Sequence, residues 1–165
     1  MAILFRGVSK IDDENNEGLL KPKGSNIEVA IKYNAGFTYD SGVTYGESED
    51  NTVIAHQKES GMYEGCFVSF TRDKSIAIHF ATSGNFEEGF IYEVDEELLK
   101  QNGVVAREVE IPEHPYESEI SLRTSDGGTL PNEIVGNFSI SVGKYSKFIL
   151  FNKFFSSKYL FIFFI

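Results

Sequence analysis

The sequence predicts an α+β domain of two packed, mainly antiparallel or mixed β-sheets, with its helices in the N-terminal half. Three observations predict it. Short runs rich in Val, Ile, Phe and Tyr recur along the chain, each bounded by Gly, Asn, Ser or Pro, which is the punctuation of a sheet. Helix start and stop signals are fewer and come mostly before the later strands. The 165 residues are 41% hydrophobic and 24% charged, which suits a single core and leaves little room for a second.

In chain order, AILF opens the domain as a first strand, and Asp12 or Asp13 is expected to cap a short helix running to Leu20. IEVAIKY from Ile27 reads as a strand. The stretch from Asn34 to Asp50, rich in Gly, Ser, Asp and Tyr, reads as a mobile surface loop. Asp50 or Asn51 opens a helix through His56. GCFVSF from Gly65 is a strand, followed by a helix capped by Thr71 or Asp73 and running through Phe80. GFIYEV from Gly89 is a strand, and Asp95 with EELLKQ and then Asn102-Gly103 supplies both the start and the stop of a helix. VVAREVEI, SEISL and EIVGNFSISV complete the strands.

Composition excludes several function classes. Fifteen Lys and Arg against twenty-five Asp and Glu give a formal charge of −10, and such a surface repels a phosphate backbone, so no nucleic-acid partner is expected. The lone Cys66 has no mate for an internal disulfide, and His56, His79 and His114 are scattered without cysteine partners, so no metal is implied. In MAILFRG, Arg6 ends an apolar stretch too short for a secretory signal of the usual form. The expectation is a chain that stays in the cytoplasm or is secreted by a non-classical route.

The folded domain is assigned to residues 1–147 and an aromatic tail to 148–165. In that tail thirteen of eighteen residues are apolar or aromatic, and seven of the chain's fifteen Phe lie there. Asn152, Lys153, Ser156, Ser157 and Lys158 split the run into pieces too short for a helix across ~30 Å of hydrocarbon. Final buried strands, contact with a membrane and a tail outside the evolved domain remain the three readings.

The sharpest local feature is Glu117-Ser118-Glu119, after the turn-forming Ile111-Pro112-Glu113-His114-Pro115. In an extended chain, residues i and i+2 share a face, so both carboxylates are expected to point the same way. Like charges so placed repel unless something holds or uses them. A solvated acidic strand edge is the plain alternative. Arg6, in LFRG at the expected end of the first strand, carries a guanidinium fork suited to a diphosphate or ribose edge. Ser69 and Thr71 close the strand FVSFT where a cleft often opens. Helix capping is the competing role for Thr71.

Taken together, Arg6, the aromatic-x-Ser-x-Thr strand and Glu-x-Glu resemble the mono-ADP-ribosyltransferase pattern of Arg, Ser-Thr-Ser and Glu-x-Glu. Within that superfamily the chain looks most like the catalytic A chains of the cholera and heat-labile enterotoxins. EHPYESEISLRTSDGGTLPNEIVG resembles the enterotoxin segment His-Pro-Tyr-Glu-x-Glu-Val-Ser, then Gly-Gly-Ile-Pro and an Ile-x-Gly strand. LLKPKG fits the family's Leu-Met-Pro-Arg-Gly. His56, about a dozen residues before the Ser-Phe-Thr strand, falls where those toxins carry an active-site histidine. The resemblance runs from Leu4 to Val142. Ser69-Phe70-Thr71 departs from Ser-Thr-Ser, with Phe70 expected on the opposite face of its strand. The toxin's disulfide and its long helix to a B pentamer have no counterpart, so no AB5 assembly is carried over.

The resemblance implies an ADP-ribosyltransferase-like fold and NAD as co-substrate. Breaking the nicotinamide–ribose bond places positive charge on the sugar, which fixed negative charge stabilises. The resemblance implies that Glu119 holds the ribose hydroxyls and that cation, while Glu117 aligns and deprotonates an acceptor arginine of a target protein. A guanidinium with pKa above about 12 needs such help. It further implies that Arg6 and Gly7 bind NAD, that Ser69 orients Glu119, that Thr71 supports the nicotinamide pocket, and that His56 lies near the ribose. The loop of His114 and Tyr116 would touch the protein substrate. An enterotoxin-like toxin or effector role follows from kinship alone. An NAD glycohydrolase, with water as acceptor, and an inactive binding module on the same scaffold are the alternatives.

Overall fold

Strand β1 (Ile3–Ser9) is the axis of the domain. In the computed structural model, which describes residues 2–32, 37, 42–140 and 150–151, it sits inside a seven-stranded antiparallel sheet with β4 (Val68–Thr71) on one side and β5 (Gly89–Asp95) on the other. Outside β4 come β7 (Glu119–Thr124) and then β6 (Val104–Arg107) at the edge. Outside β5 come β8 (Val135–Ile140) and β9 (Leu150–Phe151). The second sheet is only a ribbon of β2 (Val29–Ala30) and β3 (Glu47–Ser48). The fold is α+β, as expected, and compatible with an ADP-ribosyltransferase-like fold, although its two sheets are very unequal.

Alternation along the strands builds the core. Leu4 and Val8 of β1, Phe70 of β4, Tyr92 and Val94 of β5, and Ile120 and Leu122 of β7 are buried together on one side of the sheet. Phe70 does point away from its hydroxyl-bearing neighbours, as predicted. On the other side helix α3 (Lys74–Ala81) lies directly on β1 and β5 through Ala77 and Ala81. Gly7 makes this approach possible: a Cβ there would fall 1.8 Å from the Ala77 carbonyl oxygen.

Local chemistry explains where the helices begin. Ser9, one turn ahead of the expected Asp12, caps α1 (Lys10–Asn15), its hydroxyl accepting from Asp12 N–H, and the helix ends well before Leu20. Ser48, not Asp50 or Asn51, caps α2 (Glu49–Lys58) by accepting from Asn51 N–H. Asp73 caps α3 and Asp95 caps α4 (Glu96–Leu99); Gly103 in left-handed backbone follows a final 3₁₀ turn, as the sequence signals.

Other stretches differ from expectation. Among the described residues of IEVAIKY only the two of β2 pair, opposite the equally short β3, VVAREVEI shortens to β6, and residues 33–36 and 38–41 of the expected strand and loop lie outside the described residues. The expected loop from Asn34 to Asp50 ends in β3 and the first turn of α2, and Asn51 ties the incoming chain down: it accepts from Thr44 N–H and donates to the carbonyls of Val29, Thr44 and Gly46. Except for β9, the tail assigned to 148–165 lies outside the described residues. Among the described residues no helix is long and apolar enough to cross a membrane.

Candidate active site

The cleft opens where the sheet is least stitched. β1 pairs with β5 along its whole length, but it meets β4 at the single register pair Phe5↔Thr71. Beyond that pair the Arg6 side chain supplies a bond the ladder lacks, Nη1 donating to the Ser69 carbonyl at 2.7 Å. Arg6 lies in the middle of β1 rather than at its end, since the strand continues to Ser9. Its guanidinium is affected most by burial, which lowers its pKa; the charges of Glu119, Asp12 and Tyr92 pull the other way.

The Glu-x-Glu pair is built by a turn, not by one extended strand. Pro115–Glu117 forms a 3₁₀ turn, Ser118 takes a left-handed conformation (φ 47°), and Glu119 is the first residue of β7. The shared-face argument therefore fails in its premise, yet both carboxylates line the same cleft. A non-glycine residue at positive φ is strained, and Thr71 helps hold it: its hydroxyl donates to the Glu117 carbonyl at 2.6 Å and accepts from Asp73 N–H at 3.0 Å. Thr71 thus braces the turn and the start of α3 at once, so the capping alternative is part of its role.

Ser69 and Glu119 share a face through the pairs Ser69↔Ser121 and Thr71↔Glu119. His56, on α2, closes over them. Its Nε2 lies 2.9 Å from Ser69 Oγ and 3.6 Å from Glu119 Oε1, with the imidazole fully buried and the carboxylate side chain 13% exposed. Burial, then the charges of Arg6 and Lys23, lower the His56 pKa to about 4, so the ring is neutral near pH 7. Two oxygens face Nε2, while Nδ1 is buried with no partner among the described residues. The proton therefore belongs on Nε2.

Glu119 is pushed the opposite way. Burial raises its pKa above the ordinary carboxylate range, the hydroxyls of Ser69 and Ser121 draw it down, Glu117 raises it and Arg6 lowers it. Ser121, whose Oγ donates to Glu119 Oε1 at 3.1 Å, was not foreseen, although its place two residues along the strand was the available signal. Equally unforeseen is an ionic clamp at the start of α2. Arg123 of β7 binds Glu49 at 2.7 Å, and Arg107 of β6 donates to Glu49 at 3.0 Å and also binds Asp50. Long-range pairs of this kind leave no local motif.

Arg6, Gly7, His56, Ser69, Thr71, Glu117 and Glu119 all line one cleft of about 750 Å³, within the usual range for small-molecule and cofactor sites. Gly7 contributes through its close packing beneath α3 as well as its place in the cleft wall. His114 also reaches the cleft, whereas Tyr116 is 68% exposed beside it. The site joins a guanidinium, a neutral imidazole, a hydroxyl pair and two carboxylates of unlike environment, a set able to grip an anionic ligand and stabilise a cationic sugar.

The family model named NarE matches residues 3–122, which contain every one of these site residues. The chain belongs to the NarE family. NarE is ADP-ribosyltransferase-like, and such a family implies ADP-ribosyltransferase-like activity with NAD as co-substrate. A search of curated proteins gives no match.

Proposed function

We propose that this NarE-family chain is an NAD-dependent mono-ADP-ribosyltransferase that transfers ADP-ribose to an arginine of a target protein, in the manner of an enterotoxin A chain. The observation that carries the proposal is the convergence of Arg6, His56, Ser69 and the pair Glu117 and Glu119 on one cleft from four separate parts of the chain.

In this reading Arg6 holds the dinucleotide, and Glu119 accepts hydrogen bonds from the ribose hydroxyls while its charge faces the anomeric carbon. As the bond from that carbon to nicotinamide breaks, the electron pair leaves with nicotinamide and the sugar becomes cationic. The approaching positive charge favours ionised Glu119, offsetting the burial that raises its pKa. His56, protonated on Nε2, keeps Ser69 and Glu119 in register. Glu117, set apart by the Ser118 turn, takes the proton that the acceptor guanidinium loses when its nitrogen attacks the sugar. The exposed ring of Tyr116 and the neighbouring His114 offer a surface for the protein substrate. No nucleic acid enters the proposal, because the chain is acidic.

Incubation with labelled NAD and agmatine, a small guanidino acceptor, tests the proposal by product mass. ADP-ribosyl-agmatine is the expected product. Free ADP-ribose alone would mark the chain as an NAD glycohydrolase, and no cleavage at all would mark a binding module.

A further inference from the structure

Two residues beyond Glu119, β7 carries a hydroxyl that cannot itself meet a ligand. Ser121 is fully buried and does not line the cleft, and Ile120 and Leu122 on either side of it belong to the apolar core. Its partners across the ladder are Ser69 of β4 and Arg107 of β6. Helix α2 is bonded to both, through His56 to Ser69 and through Glu49 to Arg107, and so lies over the row in which Ser121 stands. A hydroxyl removed from water destabilises a fold unless it is bonded. Among the described residues the Ser121 hydroxyl has one hydrogen bond, and in it Oγ donates to Glu119 Oε1 at 3.1 Å.

Where that bond falls on the carboxylate gives it a role. His56 Nε2, at 3.6 Å, faces the same oxygen, so the serine and the imidazole meet Glu119 at one end of its carboxylate. Ser69 divides its hydroxyl between the imidazole and Glu119, whereas Ser121 gives its own to Glu119 alone. The last torsion of a glutamate is soft, and a side chain without such a bond turns its two oxygens freely. A donor fixed in the strand stops that rotation and is already in place when charge develops on the sugar. Being neutral, it adds no charge to the Arg6, His56 and Glu117 already grouped around Glu119.

We infer that Ser121 is a positioning residue for the bond-breaking step: its hydroxyl fixes Oε1 of Glu119, so that the carboxylate meets the anomeric carbon in one orientation. This rests on the reading of the cleft as an NAD site. The same bond favours ionised Glu119 against the burial that opposes it.

Ser121→Ala deletes the donor, and Ser121→Cys keeps the buried site filled while donating only weakly. Thr124→Val removes another β7 hydroxyl, one bonded to Asp126 and Gly128, and controls for lost stability alone. NAD-cleavage kinetics across the acid range, and carbon-13 NMR titration of the Glu119 carboxyl without substrate, are measured on these variants and the parent. In Ser121→Ala, kcat is expected to fall about tenfold with KM for NAD nearly unchanged, the loss of one hydrogen bond to a charged group at the transition state. The acid limb of kcat/KM and the Glu119 titration midpoint both move up by about one pH unit, because deleting a donor to the ionised form disfavours that form. Ser121→Cys moves both in the same direction by less, and Thr124→Val lowers Tm while leaving both in place. A kcat or a Glu119 midpoint in Ser121→Ala equal to the parent's overturns the inference, as does an equal shift in Thr124→Val, which would make the effect one of stability. If Ser121→Ala does not fold, Ser121→Cys decides by the same readings. A parent that cleaves no NAD removes the NAD reading itself and the role with it, a result distinct from an unmoved Glu119 titration, which needs no substrate.

Discussion

His56 Nε2 and Glu119 Oε1 lie 3.6 Å apart without forming an ion pair, because burial keeps the imidazole neutral while it also lifts the carboxylate's pKa. Each group is thus shifted toward its uncharged form, and the Ser69 hydroxyl, 2.9 Å from the imidazole, couples them through hydrogen bonding rather than charge. In the proposed reaction, a cation arriving with the substrate would favour the ionised form of Glu119 against the burial that opposes it.

The two glutamates should separate in function. Glu119→Gln is expected to lower both transfer to agmatine and NAD cleavage by about a hundredfold or more, the usual cost of deleting a charge-stabilising group. Glu117→Gln is expected to lose transfer while retaining NAD cleavage, because the sugar cation is still stabilised. Full activity in Glu119→Gln would overturn these roles.

The same Glu119→Gln substitution should stabilise the protein at neutral pH. In the unfolded chain Glu119 ionises at the ordinary carboxylate value, whereas in the fold it holds its proton to higher pH. The native state binds more protons between those two values, so stability falls as pH rises through that window and stays lower above it. A higher Tm for Glu119→Gln at pH 7, with the gain vanishing under acid conditions where the carboxyl is protonated in both states, is the expected result.

His56 contributes in the opposite sense. Its pKa is 6.5 unfolded and about 4 folded, so the unfolded chain binds more protons between those values. Stability from this group is complete above pH 6.5 and is lost as pH falls toward 4, by about 3 kcal/mol in total. Chemical denaturation of the parent and of His56→Gln at pH 7 and pH 4 checks it: the parent's advantage should shrink by that amount on acidification.

Thr71→Val removes the hydroxyl that donates to the Glu117 carbonyl and accepts from Asp73 N–H. A loss of about 1–2 kcal/mol of stability is expected, together with a fall in agmatine transfer larger than the fall in NAD cleavage, since Glu117 rather than Glu119 loses its brace. Equal effects on both reactions would argue against a positioning role.

Gly7→Ala drives a methyl group into the Ala77 carbonyl oxygen and must displace α3. Destabilisation of about 2 kcal/mol, read as a lower denaturation midpoint, is expected.

Much of this was legible in the sequence because the information is local. Asp73 and Asp95 sit at helix starts with nothing nearer to compete, so their caps were readable. At α1 and α2 a serine stood upstream of the acidic candidates, and geometry chose the serine whose hydroxyl meets the N–H three residues on. The site residues were marked by the order of Arg6, Ser69 and Glu117-x-Glu119, but their means of convergence was not. The bond from Arg6 to the Ser69 carbonyl, the Ser118 turn, and the clamp of Arg107 and Arg123 on Glu49 join residues distant in the chain or depend on backbone angles. The tail was opaque for a different reason: an aromatic run with interspersed Lys and Ser fits several burial schemes equally well.

The lone register pair between β1 and β4 has a mechanical consequence. One half of the sheet, β1 with β5, carries the guanidinium, and the other, β4 with β7, carries the acidic groups, so a molecule gripping both becomes a suture across the seam. Occupancy should therefore slow amide hydrogen exchange along Val68–Thr71 more than at the β1–β5 ladder, tightening the joint at which the domain would first part.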